Sequence, residues 1–482
     1  MPHKSLLIGL IATSLLLSAG VVLLAQWAAR TATPQGTSVA RGAIVDFNGV
    51  PLTGTVTGWN AYLNLAAARS LPDAAATRLF NELTRELRLD LDLAQRIAER
   101  PKVNDWRLPR RLSEQEMRDA VAWHRSSEWS AIPDLIRFEP KPQRTYPAGR
   151  AMSHVVGFVD TEGEGLEGLE LQFNRPLAAG LTVRTSLESK AQSGVVEVLE
   201  RAMRAHGLLE ANAVVLEMRS GRVRSMVSLP TFEPIDSRSR VGEHVRLRTA
   251  TDVFQAGPLL QPFLLSAALR EQAGTEHPLL LKAFVDDREE AGLTIVRALG
   301  YRNTMYWLGR TGLLDRLALD FPGTPRTLVR TAGCPDDLLQ DLGAGAGIAP
   351  TLARYATALL GELGGADVRS VKLGYALADS DSLWAPVDRE RDETAGTLVE
   401  RMVARARKQS QNPDADFGGM WATYTDRVEA GAGPRRASIV LFAPANTPTQ
   451  LLVVTLRAGD GGLSEENVLE IGKNALDLAI AQ

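Results

Sequence analysis

From Ser5 to Trp27 the chain reads "SLLIGLIATSLLLSAGVVLLAQW" without a charge, with Lys4 before the run and Arg30 after it. A helix of that length spans the hydrocarbon core of a bilayer, so the pattern predicts a membrane anchor. A cleaved signal peptide is the competing reading. It fits less well, because the run exceeds an ordinary h-region and "AARTATPQG" offers only a weak cleavage sequence. Positive charge at Lys4 and at the amino end predicts a cytoplasmic tail at 1–4, a span at 5–27 and the rest of the chain outside the cytoplasm.

After a polar linker at 28–40 the pattern changes several times. "RGAIVDFNGVPL", Arg41 to Leu52, holds a short strand at Ile44 and Val45 and a tight turn at Asn48-Gly49, a hairpin signal. Between Asn60 and His124, leucines and isoleucines recur at three- and four-residue spacing, with Pro72-Asp73 as a start signal. Helices are predicted, their apolar face packed on a neighbouring domain. Arg144 to Gly180 is rich in glycine and turn residues and predicts irregular loops with short strands. Its carboxylates, Asp160, Glu162, Glu164, Glu167 and Glu170, lack the spacing of a calcium loop and read as solvated turn residues.

A strand after Leu181, a helix from Ala191 to His206, and a hairpin of "AVVLEM" and "VRSMVSL" about "RSGR" follow. "ASIVLFAPANTPTQLLVVTLRAG" gives two more strands, and a closing helix starts at Ser464. Strands at both ends with helices between them predict an α+β fold whose sheet unites distant parts of the chain. The longest apolar stretch of the middle, "TDVFQAGPLLQPFLLSAAL" from Thr251 to Leu269, turns at Gly257, admits Pro258 to the first helical position and continues without a polar face. Such helix starts stabilise negative charge and favour nucleophiles. Here the residues are proline and glutamine.

Composition narrows the function classes. The 482 residues, 45% hydrophobic and 23% charged, suit two to three globular domains. A net charge of -3, with no basic run interleaved with aromatics, argues against nucleic-acid binding. One cysteine, Cys334, and six scattered histidines predict no disulfide, no metal and no cofactor.

The segments "RGAIVDFNG", "RTYPAG", "SHVVGFV", "GLEGLE", "TSLESKAQ", "AVVLEMRSGRVRSMVSLPTFEP" and "SIVLFAPANTP" occur in the order found in class B penicillin-binding proteins. The chain resembles that family of single-span peptidoglycan D,D-transpeptidases over nearly all of its exported length. The resemblance implies a mixed juxtamembrane domain of pedestal or dimerisation type at 41–180 and a transpeptidase-like domain of serine β-lactamase type at 181–482, a central antiparallel sheet flanked by helices.

The same resemblance places the catalytic serine at Pro258 and its lysine at Gln261. The reaction needs a hydroxyl to attack the penultimate D-alanine carbonyl and a base one turn later to take its proton. Neither residue supplies one, and no S-x-x-K or K-[S/T]-G occurs anywhere in the chain. No serine lies between Ser266 and Ser370, where the S-x-N motif belongs, and Ser410-Gln411-Asn412 falls at the wrong place in the topology. The third motif aligns with Ala422, Thr423, Tyr424 and Thr425, where Ala422 removes the charge and Tyr424 adds bulk to a remnant binding groove of Thr423, Tyr424 and Thr425. Gln255 and Gln261 read as neutral replacements of a charged network.

The reading is a pseudo-enzyme scaffold or regulator, anchored in the cytoplasmic membrane with its bulk in the periplasm. By resemblance its partners are inner-membrane cell-wall synthesis proteins such as a polytopic glycosyltransferase, and peptidoglycan peptides. The alternative is a transpeptidase or carboxypeptidase that binds penicillin through relocated groups, Ser266 or Thr251 as nucleophile or His244 as base.

Overall fold

The computed structural model describes residues 40–89, 104–108, 110–271, 277–286, 290–365, 370–376, 391–428, 431–459 and 463–481. The predicted span at 5–27 lies outside them. No helix of the described residues is long and apolar enough to cross a membrane.

"RGAIVDFNG" forms strand β1 (Ile44–Val45) and a turn with Gly49 at φ 83°. The hairpin expected there is reduced to one antiparallel bridge, Val45 to Pro51, and β1 pairs in parallel with a strand far along the chain. Buried Asp46 explains the difference. One carboxylate oxygen accepts the amides of Asn48 and Val50 at 2.9 and 2.8 Å, and the other accepts both N–H and hydroxyl of Ser189, so the turn is tied to a distant helix start.

Strand β2 (Gly54–Asn64) pairs with β3 (Asp105–Arg107) and β4 (Ile136–Thr145). Helices begin later than expected, since Asn60 to Asn64 is still strand. Asn64 then caps a short turn by accepting the Ala67 amide at 3.0 Å. Helix α1 (Asp73–Glu86) starts at the predicted Pro72-Asp73 signal, and α2 (Glu114–Ser126) opens on a Ser113/Glu116 capping box. The apolar face of α1 does not pack on a neighbouring domain. Leu79, Phe80 and Leu83 close a small core of their own with Leu63, Leu65, Trp129 and Leu135.

The carboxylate cluster is also corrected. Asp160 does hold a turn, accepting the Glu162 and Glu164 amides, but Glu170 is fully buried. Its two oxygens receive Nε of Arg41 at 2.8 Å and Nε of Arg144 at 2.6 Å. Arg144 also donates to Thr53 at 2.7 Å, so one carboxylate joins three segments.

Strand β5 (Val183–Thr185) is the parallel partner of β1, and helix α3 (Ser189–His206) follows it. Strands β6 (Leu208–Glu217) and β7 (Val223–Leu229) form the predicted hairpin. Helices α4 (Gln261–Glu271), α5 (His277–Asp286), α6 (Ala291–Arg310), α7 (Pro335–Ala344), α8 (Leu352–Glu362) and α9 (Glu393–Gln409) separate them from β8 (Gly418–Val428), β9 (Gly431–Ala443), β10 (Gln450–Ala458) and the closing helix α10 (Glu465–Ile480). The main sheet is antiparallel throughout, in the order β8-β9-β10-β6-β7.

Both faces of that sheet are covered, which is why its strands read as continuous apolar runs. Val215, Val227, Ile439 and Val454 meet Val195 and Leu199 of α3 and Ile471 of α10 on one face. Val214, Met226, Val440 and Val453 meet α4, α8 and α9 on the other. Edge strand β7 is satisfied by buried Gln192 of α3. Its amide nitrogen donates to the carbonyls of Met226 and Ala151, and its oxygen accepts from the Met226 amide and the Ser225 hydroxyl.

His154 is buried beside the Phe232 ring, and its Nε2 donates to the His244 carbonyl at 2.7 Å. Burial holds this imidazole down at about 4, below its ordinary 6.5. Unfolded chains therefore take up a proton that the folded chain refuses between those values. The stability from this residue is complete above pH 6.5 and is lost as pH falls toward 4. Between pH 7 and pH 4.5 the wild type should lose about 2 kcal/mol more than a His154→Gln variant, measured by urea unfolding at both pH values.

Candidate functional site

The segment before α4 is clamped to the stretch that leads into α8. The amides of Phe254, Ala256 and Gly257 donate to the carbonyls of Pro350, Ile348 and Gly345, each at 3.0 Å. Gly257, at φ 53°, turns the chain, and Pro258 opens a single 3-10 turn, Gly257–Leu260, that runs into α4. Proline is tolerated there because its missing N–H had no partner to lose. Leu259, Leu260, Phe263 and Leu264 are fully buried, and the Tyr355 hydroxyl of α8 donates to the Leu259 carbonyl at 2.8 Å. Burial, with the nearby Tyr424 hydroxyl adding to it, pushes the Tyr355 phenol well above its ordinary value, so it remains a donor.

Gln261 is buried, and its side-chain oxygen accepts from Nη1 of Arg405 at 2.6 Å. Arg405, on α9 and 1% exposed, also donates to the Phe284 carbonyl at 3.1 Å and lies 5.0 Å from the centre of the Phe284 ring. The expected neutral network is therefore wrong. A cation is still present at this place, but it is a guanidinium that stays protonated and cannot act as a base. Its signal in the sequence is position 405 on the i, i+4, i+7 stripe with Leu398 and Met402.

Tyr424 closes the position from the side of the sheet. Its hydroxyl donates to the Gln255 carbonyl at 3.0 Å, and its ring carbons lie 2.8 to 3.1 Å from the point where a side chain on Gly257 would begin. Strand alternation puts Ala422 and Tyr424 on the face of Met420, toward α4, and sends Thr423 and Thr425 to the other face, where both are exposed. Of the three residues assigned to a remnant groove, only Tyr424 faces the helix start. The backbone closes it from a third side, since a Cβ on Gly345 would fall 1.8 Å from the Gly257 oxygen. Gly345 sits at φ 71° after α7, a close approach open to glycine alone.

The relocated candidates do not converge. Ser266 is fully buried on α4 and donates to Glu362. The Thr251 hydroxyl is engaged by the Leu247 carbonyl and by Asp252. His244 is exposed on a 3-10 turn, Gly242–Val245. None of the three meets another. Ser410-Gln411-Asn412 follows the end of α9, with Ser410 as its C-cap, Gln411 at φ 53° and Asn412 accepting the Asp414 amide. Among the described residues no group of three or more His, Cys, Asp or Glu is placed to hold a metal ion.

Comparison with known proteins agrees with this architecture. Residues 37–180 match the family described as Penicillin-binding Protein dimerisation domain. The chain is 24% identical over 264 residues to the probable peptidoglycan D,D-transpeptidase PenA of Neisseria gonorrhoeae, across 49% of this chain and 44% of that protein. It is 24% identical over 273 residues to the peptidoglycan D,D-transpeptidase FtsI of Escherichia coli (strain K12), across 51% of this chain and 45% of that protein. A similar likeness, 25% over 244 residues, joins it to the probable peptidoglycan D,D-transpeptidase FtsI of Caulobacter vibrioides, across 49% and 38%. The aligned part spans less than half the length of each of these relatives. The dimerisation-domain match at 37–180 and the likeness to these transpeptidases together support a place for the chain among class B penicillin-binding proteins.

Proposed function

We propose that this chain is a catalytically inactive family member that acts as a scaffold or regulator in peptidoglycan synthesis. The supporting observation is the helix start at Pro258. Its nucleophile position holds proline, its base position holds an amide bonded to Arg405, and the Tyr424 ring packs on Gly257. Acyl transfer requires an activated nucleophile and an open approach for the substrate carbonyl. Neither is provided.

In this reading residues 5–27 anchor the chain in the cytoplasmic membrane, 28–40 link, 41–180 form the pedestal and 181–482 the transpeptidase-like part, all in the periplasm. The span and the pedestal carry the function by engaging inner-membrane synthesis proteins such as a polytopic glycosyltransferase. Complementation of a deletion strain tests it. Pro258→Ala should restore growth and wall labelling as wild type does, and exchange of 5–27 for an unrelated span should not. Failure of Pro258→Ala at normal protein level, or full rescue by the exchanged span, would overturn the proposal.

A further inference from the structure

A cavity of about 760 Å³ lies between α4, α6 and α8, away from Pro258 and Tyr424. Five arginines line it, Arg270, Arg310, Arg316, Arg326 and Arg354, against three carboxylates. Arg270 is held by Glu362 at 3.3 Å and by Asp392 at 3.8 Å. Arg310, Arg316 and Arg326 make no hydrogen bond or ion pair with the described residues. Arg354 is 4% exposed, and a side chain on Gly312 would start 3.1 Å from its Nη2. Gly312, at φ 74°, thus leaves room for that guanidinium in the wall.

Cations often collect at helix ends for a simpler reason, the negative pole of the helix. That accounts for Arg310, in the last turn of α6, but Arg316 and Arg326 lie beyond the helix. The end of α6 is already capped, with the Thr311 amide on the Trp307 carbonyl, the Thr311 hydroxyl on Leu308 and the Gly312 amide on Gly309. Arg310, Arg316 and Arg326 are exposed and line one cavity, so their planar donor forks are open to an anion bound there. The volume falls within the range of small-molecule pockets, roughly 300–1,000 Å³.

We propose that this cavity binds a small, multiply charged oxyanion bearing carboxylate or phosphate groups. Calorimetric titration of the full-length chain with pyrophosphate and with citrate tests the proposal and separates the two sources. A saturable 1:1 isotherm with either probe is expected, weakened about tenfold or more in Arg316→Ala/Arg326→Ala and unchanged in Arg201→Ala/Arg204→Ala, which alters exposed arginines of α3. Trp307 lines the cavity, so the same titration should change its fluorescence, and Trp307→Phe should remove that change. Absence of saturable binding by both probes would overturn the proposal. So would binding indifferent to the Arg316/Arg326 pair, or weakened equally by the α3 pair.

Discussion

Purified chain incubated with excess benzylpenicillin is expected to keep its intact mass, with no adduct, and to show no turnover of a D-Ala-D-Ala peptide. Loss of a nucleophile and base that act as one unit costs on the order of a million-fold in rate. Pro258→Ser alone should not restore acylation, because Tyr424 still covers Gly257 and no base stands one turn on. P258S/Q261K should fail for a further reason: the new ammonium would be buried against Arg405, whose Nη1 lies 2.6 Å from the present amide oxygen. An unpaired buried charge of this kind costs about 3–5 kcal/mol, so that variant should also unfold at lower urea. A covalent adduct on the wild type would sink the pseudo-enzyme reading, and peptide mapping would name the nucleophile.

Glu170→Gln should be the most damaging conservative change outside the main core. It keeps the shape of the side chain and removes the charge shared by Arg41 and Arg144, whose side chains are only 9% and 4% exposed. Two nearly buried guanidinium groups would then lack a counter-charge, at a cost of about 3–5 kcal/mol. Glu162→Gln is the control. Its partner Lys141 is 2.8 Å away, but the carboxylate is 68% exposed, so its loss should leave the urea midpoint unchanged. A midpoint for Glu170→Gln within error of wild type would mean that water reaches the carboxylate in solution and that the cluster does not hold the three segments together.

Much of the architecture was legible from local pattern. The 251–269 run dictated a buried helix start, because proline at the first turn and uninterrupted apolar residues admit few other conformations. Pro72-Asp73 and Ser464 marked helix starts, and the hairpin at 208–229 and the last two strands followed from their apolar runs and turns. The missing S-x-x-K and K-[S/T]-G motifs were equally visible, since they depend only on residue identity. The strand at Ile44–Val45 and the turn at Asn48-Gly49 were legible too, but the parallel partner of that strand was not. Asp46 spends its acceptors on the turn and on Ser189, 143 positions away, and so fixes β1 against β5.

What the sequence alone determined is that no serine-lysine pair exists and that a buried helix begins at Pro258. Only the tertiary structure decided what surrounds Pro258 and Gln261. Arg405 stands 144 residues from Gln261, Tyr424 meets a carbonyl 169 residues away, and Glu170 answers an arginine 129 residues before it. Buried charges and aromatic rings are satisfied by partners that come together only after helices pack on the sheet. Periodicity can place such a residue on a buried face, but it cannot name the group that will face it.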